Sequence, residues 1–329
     1  MKYLVTGGAG YVGSVVAARL LESGHRVVVL DDLSTGLRDA VPAGAEFVPG
    51  RVQDAAEHLD GSFDGVVHLA AFSQVAESVA DPEKYWRNNV GGTVELLAAM
   101  RKADVRRLVF SSTAAVYGEP ERAPIPEDAR TAPTSPYGAS KLAVDHMLAG
   151  ECAAHGLAAV SLRYFNVAGA YGDLGERHHP ESHLIPLVLQ TALGHRGHID
   201  VYGTDYPTPD GTCIRDYIHV ADLAEAHLLA LRPETVAPGE HLVCNLGSAS
   251  GFSVREVIDT VRRVTARAVP EHAGPRRPGD PAVLVASAQR ARERLGWQPA
   301  RTSLEEIVSD AWEFTRAHLS VSGKGAPEQ

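Results

Sequence analysis

Cysteine is scarce: Cys152, Cys213 and Cys244 are the only three in 329 residues, too far apart for a disulfide framework or for paired metal-ligand spacing. A reducing, cytoplasmic setting is therefore expected. Long apolar runs are also missing. The opening Met-Lys-Tyr-Leu-Val-Thr-Gly-Gly is too short for a signal peptide, and no later stretch is long enough to span a membrane, so no membrane partner is expected. Excess positive charge is absent too. With 31 Lys and Arg against 41 Asp and Glu, the net charge is −10 and the isoelectric point about 5.8. That balance argues against a general nucleic-acid surface while leaving room for a small basic pocket that holds a phosphate ligand. Lysine is rare, at positions 2, 84, 102, 141 and 324 only, which a GC-rich codon bias explains without a functional cause. Neither an internal repeat nor a coiled-coil pattern is found.

What the chain does have is an alternation of short β-branched runs with longer helical patterns in its first half. Strands are expected near residues 2–5, 26–30, 47–48, 65–69, 107–110 and 158–163, with helices over 12–23, 82–103 and 137–155. This βαβ order predicts an α/β fold, a Rossmann-type doubly wound parallel sheet, joined to a smaller C-terminal α/β substrate domain. Residues 1–166 are assigned to the first domain, with 216–247 returning to it through a strand at 218–220 and a helix at 222–231. Residues 167–215 and 248–319 form the second, with helices over 253–265 and 304–318 capped by Ser253 and Ser303, the latter in a capping box with Glu306. Residues 320–329 read as a flexible tail.

Directly after the first strand comes Thr6-Gly7-Gly8-Ala9-Gly10-Tyr11-Val12-Gly13, readable as Gly7-x-x-Gly10-x-x-Gly13 or Gly8-x-Gly10-x-x-Gly13. In either register the glycines permit a tight turn and close backbone approach, and the following helix offers free N–H groups and a positive dipole end to a pyrophosphate. Asp31, 18 residues after Gly13 at the end of the second strand, is placed to accept from the adenosine ribose hydroxyls and would repel a 2′-phosphate. NAD is favoured over NADP. Downstream, Tyr137 and Lys141 lie four apart in Ser-Pro-Tyr-Gly-Ala-Ser-Lys, which in a helix puts phenol and ammonium on one face, where the cation stabilises a phenolate. Thr113 closes the run Phe110-Ser111-Ser112-Thr113. Alone it reads as a strand-end cap; with Tyr137 and Lys141 it reads as their catalytic partner. Asn89 is polar within a helical pattern, and by itself reads equally as a solvent-facing side chain.

With these motifs in place the chain resembles the extended short-chain dehydrogenase/reductase superfamily, and within it the UDP-glucose 4-epimerases. The narrower resemblance rests on Arg163-Tyr164-Phe165-Asn166, on His183-Leu184-Ile185-Pro186, and above all on the stretch from Tyr202 through Cys213-Ile214-Arg215-Asp216 to Val220. It runs from residue 2 to about 314. It implies an NAD-dependent interconversion of UDP-galactose and UDP-glucose: oxidation at C4, rotation of the 4-keto sugar, and re-reduction. Tyr137 would act as the base, Thr113 would bond the same oxygen, and Lys141 would hold the nicotinamide ribose and lower the Tyr137 pKa. Gly7, Gly10, Tyr11, Val12, Asp31, Asn89 and Tyr164 would join Tyr137 and Lys141 around NAD. Asn166, Arg215 and Arg277 are carried onto the diphosphate, Tyr202 and Leu184 onto the uridine, Asp280 onto its ribose, and His183 beside them. Related dehydratases carry an Asp-Glu pair after the threonine; Ala114 and Ala115 stand there, without the acid and base that elimination needs.

Three positions depart from the family pattern: His183 for asparagine, Ser73 for lysine, and Arg51 for an aspartate near adenine. Leu284 stands where some members carry a tyrosine beside the sugar C2 substituent, so N-acetylated UDP-sugars are an expected second substrate class. His178, His179 and His183 cluster in sequence, but with no carboxylate at matching spacing no metal is expected. The resemblance also implies a homodimer built on the two longest first-domain helices.

Overall fold

Seven parallel strands form the central sheet: β1 (Lys2–Thr6), β2 (Arg26–Asp31), β3 (Glu46–Pro49), β4 (Gly65–His68), β5 (Arg107–Thr113), β6 (Ala158–Tyr164) and β7 (His241–Leu246), in the spatial order β7-β6-β5-β4-β1-β2-β3. The computed structural model describes residues 1–277 and 279–322. Strands such as Lys-Tyr-Leu-Val-Thr and Gly-Val-Val-His are apolar on both faces because helices cover both sides of a parallel sheet. One apolar cluster packs β1 and β6 against helix α1 (Tyr11–Glu22) and the Val220–Ala230 helix, with Trp297 fully buried beneath it. A second fills the other face, where Leu96, Leu97 and Met100 meet Val144 and Leu148. A third gathers Val188, Leu189, Ile258, Val261, Ile307 and Val308 away from the sheet, between three C-terminal helices.

Strand order reverses between β1 and β4, and at such a switch point the loops leaving the carboxyl ends diverge and open a crevice. The functional candidates stand there.

Most expected elements are present, and the differences are informative. The helix expected over 82–103 is split: Pro82–Tyr85 is α-helical, Trp86–Gly91 is a π-helical turn, and Gly92–Lys102 resumes the α-helix. The strand expected at 218–220 forms over Tyr217–His219 but pairs with Asn166–Ala168 in a separate two-stranded sheet; β7 is the segment that rejoins the central sheet, beside β6. Ser253 caps its helix as expected, and Glu256 completes a full capping box. At Ser303 the hydroxyl accepts from the Glu306 N–H at 3.5 Å, while the Glu306 carboxylate lies 3.5 Å from Arg301. The last helix continues to Ser322, so residues 320–322 of the expected tail are helical; 323–329 lie outside the described residues. All three cysteines are buried and unbridged, and no helix among the described residues is long and apolar enough to cross a membrane.

Candidate active site

The glycine turn is dictated by lack of space. Gly7 has φ of +72°, and a Cβ there would lie 2.6 Å from the Ala70 nitrogen; a Cβ on Gly13 would lie 2.1 Å from the Gly7 carbonyl oxygen. Only glycine permits these approaches. Gly10 is the N-cap of α1 and carries no side chain to cap it, so the first N–H groups of the helix face the crevice. Asp31, at the end of β2, accepts from the Ala9 N–H at 2.9 Å and the Leu33 N–H at 2.8 Å, which fixes its carboxylate. Burial raises its pKa and these bonds oppose the rise.

The candidate catalytic residues gather around the start of the Pro136–His155 helix and the end of β5. The Pro136–His155 helix starts with Ser135 accepting from the Gly138 N–H at 3.2 Å and with Pro136 in its first turn. Gly138 is required, because a Cβ there would sit 2.6 Å from the Ala115 carbonyl. This close approach brings Tyr137 to the end of β5, where the Thr113 hydroxyl lowers its phenol pKa. Lys141, one turn on, is 3% exposed; its ammonium donates to the Ser111 carbonyl at 2.7 Å and stands 4.9 Å from the centre of the Phe110 ring.

Burial acts on the two groups in opposite senses. It pushes the Tyr137 phenol up, against the Thr113 hydroxyl. It pulls the Lys141 ammonium down to about 7, against the Asp145 carboxylate. The expected lowering of Tyr137 by Lys141 is not seen: burial dominates the phenol, and the opposing influence comes from Thr113. Asp145 in turn forms a buried ion pair with Arg163 at 2.8 Å, and Arg163 donates to the Tyr117 hydroxyl at 3.0 Å. These residues lock the segment after Thr113 in place.

One cavity of about 1460 Å³ runs past all of these groups. Gly7, Gly10, Tyr11, Val12, Asp31, Thr113, Tyr137, Lys141 and Tyr164 all line it, as do Asn166, His183, Arg215, Arg277, Asp280 and Leu284. Tyr164 shares a very short hydrogen bond with the Ser111 hydroxyl. Arg215 is ion-paired with Asp280 and also donates to the Pro281 carbonyl at 2.9 Å, so the two residues expected on diphosphate and ribose already hold one another. The Asn166 amide donates to the Asp216 carbonyl at 3.0 Å.

Three expected residues do not line the cavity. Asn89 is buried inside the π-helical turn, where its amide accepts from the Phe72 N–H at 3.0 Å, donates to the Phe72 carbonyl at 3.0 Å and donates to the Ser140 hydroxyl at 3.1 Å. It fastens the loop after β4 to the Pro136–His155 helix. Leu184 opens the Leu184–Ala192 helix and packs on the third apolar cluster. Tyr202 is exposed, with the Arg277 guanidinium 4.0 Å over its ring, so it meets the cavity through Arg277. Of the departures, Arg51 and Ser73 both line the cavity.

The structure also adds residues that the sequence reading passed over. His68 bridges Thr6 at 2.7 Å and Thr93 at 2.9 Å, and Thr93 donates to the Asn89 carbonyl at 2.6 Å. That chain connects the glycine strand to the π turn. Burial takes the His68 ring down to about 3, so it stays neutral within this network. Glu176 and Glu181 reach His178 and His183, correcting the expectation that no carboxylate accompanies those histidines. The signal was present as Glu-x-His written twice. Burial alone would raise Glu176, but its bonds to His178 and His183 hold it low. Burial likewise opposes a charged His183 ring, and Glu176 and Glu181 outweigh it.

A glycine turn that excludes side chains, uncapped helix N–H groups and a fixed carboxylate at the neighbouring strand end together suit an adenine dinucleotide with a free ribose diol. Comparison with known proteins agrees. The sequence model of the NAD dependent epimerase/dehydratase family matches residues 3–247. The chain is 68% identical over 323 residues to the UDP-glucose 4-epimerase of Streptomyces lividans, covering 96% of this chain and 97% of that one. It superimposes on the crystal structure of UDP-glucose 4-epimerase from Brucella ovis in complex with NAD with a TM-score of 0.91 at 46% identity, covering 95% and 98% of the two chains. Against the Stenotrophomonas maltophila UDP-glucose-4-epimerase with bound NAD and formylated UDP-arabinopyranose, the TM-score is 0.93 at 39% identity, covering 98% and 99%. Fold, cavity and likeness over nearly the full length agree: the chain belongs to the NAD dependent epimerase/dehydratase family and, within it, to the UDP-glucose 4-epimerases.

Proposed function

We propose that the chain interconverts UDP-galactose and UDP-glucose at C4, and that Thr113, Tyr137 and Lys141 carry the proton chemistry. The observation that carries this reading is that these three side chains line one cavity together with the glycine turn and with Arg215 and Arg277. NAD, when bound, supplies a reversible acceptor for the C4 hydrogen. Gly7, Gly10, Tyr11 and Val12 with the α1 N-terminus would hold its pyrophosphate, Asp31 its adenosine ribose, and Lys141 and Tyr164 its nicotinamide end.

Tyr137 takes the proton from the 4-hydroxyl and later returns it. Two features favour its phenolate: its place in the first turn of a helix, where the dipole is positive, and the lowering influence of the Thr113 hydroxyl. Lys141, with a pKa near 7, gains its proton readily when an anion forms nearby. Arg215 and Arg277, together with Asn166, offer donors to the diphosphate; this requires Arg215 to share or leave its Asp280 pairing, freeing Asp280 for the uridine ribose. Tyr202 backs the Arg277 guanidinium at the uridine side, and Leu184 braces the start of its helix. Asn89 holds the cofactor side of the cavity indirectly, through Phe72. Ala114 and Ala115 supply no acid or base, so the chemistry ends at C4.

In this reading residues 1–166, rejoined by 216–247, are the NAD-binding half, and 167–215 with 248–319 are the UDP-sugar half. A cytoplasmic homodimer completes the reading. Support for the dimer comes from Val75, Val79, Trp86 and Val94, which are 43–64% exposed on helices flanking the sheet.

N-acetylated UDP-sugars are a second substrate class favoured by Leu284. This residue lies on the cavity wall beside Val116 and Tyr117, in a short strand paired with Ile214–Arg215, and leaves space that a tyrosine would fill. Leu284→Tyr is expected to lower UDP-N-acetylgalactosamine turnover by roughly tenfold or more while UDP-galactose turnover changes far less. Parallel assays of both substrates check this, and equal losses on both would refute the assignment.

A further inference from the structure

The segment leading into the Leu184–Ala192 helix carries Glu176-Arg177-His178 and Glu181-Ser182-His183. Folding brings one ligand atom from each of Glu176, His178, Glu181 and His183 within 4.8 Å of all the others. The His183 Nδ1 lies 2.7 Å from Glu176 and 3.0 Å from Glu181, and the His178 Nδ1 lies 2.9 Å from the same Glu176 oxygen. The carboxylate side chains are 8% and 6% exposed, whereas the imidazoles are 30% and 49% exposed toward the cavity they line. An ion therefore has both a buried anionic floor and an entry path.

The arrangement is held from outside the cluster. Arg177 makes two bonds to Asp39, at 3.0 and 2.7 Å. Gln74 donates to the Pro180 carbonyl at 3.2 Å. A tetrahedral ion with bonds of about 2.0–2.1 Å spaces its ligands roughly 3.3 Å apart. The separations of 2.7, 2.9 and 3.0 Å fall a little short of that value, so small side-chain rotations complete the shell. Two imidazole nitrogens with two carboxylate oxygens suit Zn²⁺, Co²⁺ or Ni²⁺, not Mg²⁺ or Ca²⁺, which prefer oxygen alone. Two buried carboxylates also need a cationic counterpart, and a dication meets that need more completely than one protonated ring.

We propose that Glu176, His178, Glu181 and His183 form a binding site for one zinc-class divalent cation on the wall of the active-site cavity, distinct from the Tyr137 chemistry. A second group, His198, Asp200 and His272, also gathers its donors within 4.8 Å of one another, but offers only three and exposes its two imidazoles by 53% and 66%. It serves as the internal control.

The test is calorimetric titration of the full NAD-loaded chain with Zn²⁺, with Co²⁺ absorption as a second readout. The expected result is one tightly bound ion per chain, with affinity reduced about tenfold or more in His178→Gln and in Glu181→Gln and unchanged in His198→Ala. His178 is partly exposed and Glu181→Gln preserves volume, so two independent variants report on the site. No uptake, or uptake lost in His198→Ala but intact in the other two, would overturn the proposal.

Discussion

Tyr137→Phe is expected to reduce turnover of UDP-galactose by about 1000-fold, a typical magnitude for a lost general base, and to leave the NAD content of the purified protein near that of the parent. The reasoning is local. Phenylalanine keeps the ring and its edge contact with Tyr85, whose centroid is 6.4 Å away. It keeps the helix start at Ser135 and the approach of Gly138 to Ala115. Only the hydroxyl that meets Thr113 is removed. Turnover and bound NAD are measured on the same preparation: a variant that retains NAD and loses catalysis supports Tyr137 as the proton-transfer group, while unchanged turnover would remove it from that role.

The second large effect is expected at Gly13, where an added methyl would lie 2.1 Å from the Gly7 carbonyl oxygen and 2.8 Å from the Gly8 Cα. All these atoms are backbone, so no side chain can rotate away. Gly13→Ala must move the turn itself, at a cost of about 1–3 kcal/mol or more, and the turn is the proposed pyrophosphate site. The protein is expected to purify with little NAD and to unfold at lower denaturant concentration. Gly150→Ala gives the opposite sign: it lies in the Pro136–His155 helix with nothing within 4 Å of the new Cβ, so a gain of up to about 1 kcal/mol is expected. If Gly13→Ala retained NAD and parent stability, the close packing of the turn would not matter for cofactor binding.

Legibility in the sequence followed the physics of each feature. The parallel sheet was readable because strands buried on both faces are short apolar runs, and the glycine turn because no other residue fits it. β7 was passed over as a strand: His-Leu-Val-Cys-Asn-Leu is short and mixed, and the position beside β6 is what makes it a strand. The π turn was invisible because helical periodicity does not separate i→i+4 from i→i+5 bonding across one turn. That turn governs Asn89, which faces Phe72 and Ser140 and not the cavity. Tyr137, Lys141 and Thr113 were readable as a set because each alone is ambiguous and their order is not. The balance of their charges was not readable, since it depends on burial: the sequence places an ammonium four residues from a phenol, while the fold desolvates both. Glu176 and Glu181 were missed because the histidines were weighed without the acids two residues before each of them.

The most direct test of the central claim is proton NMR of the sugar anomeric signals after the purified chain is mixed with UDP-galactose, with NAD absorbance followed in the same tube. The expected result is conversion to a UDP-galactose/UDP-glucose equilibrium mixture with no accumulating keto sugar and no net reduction of NAD. A released keto product, or no conversion even with NAD supplied, would contradict the account.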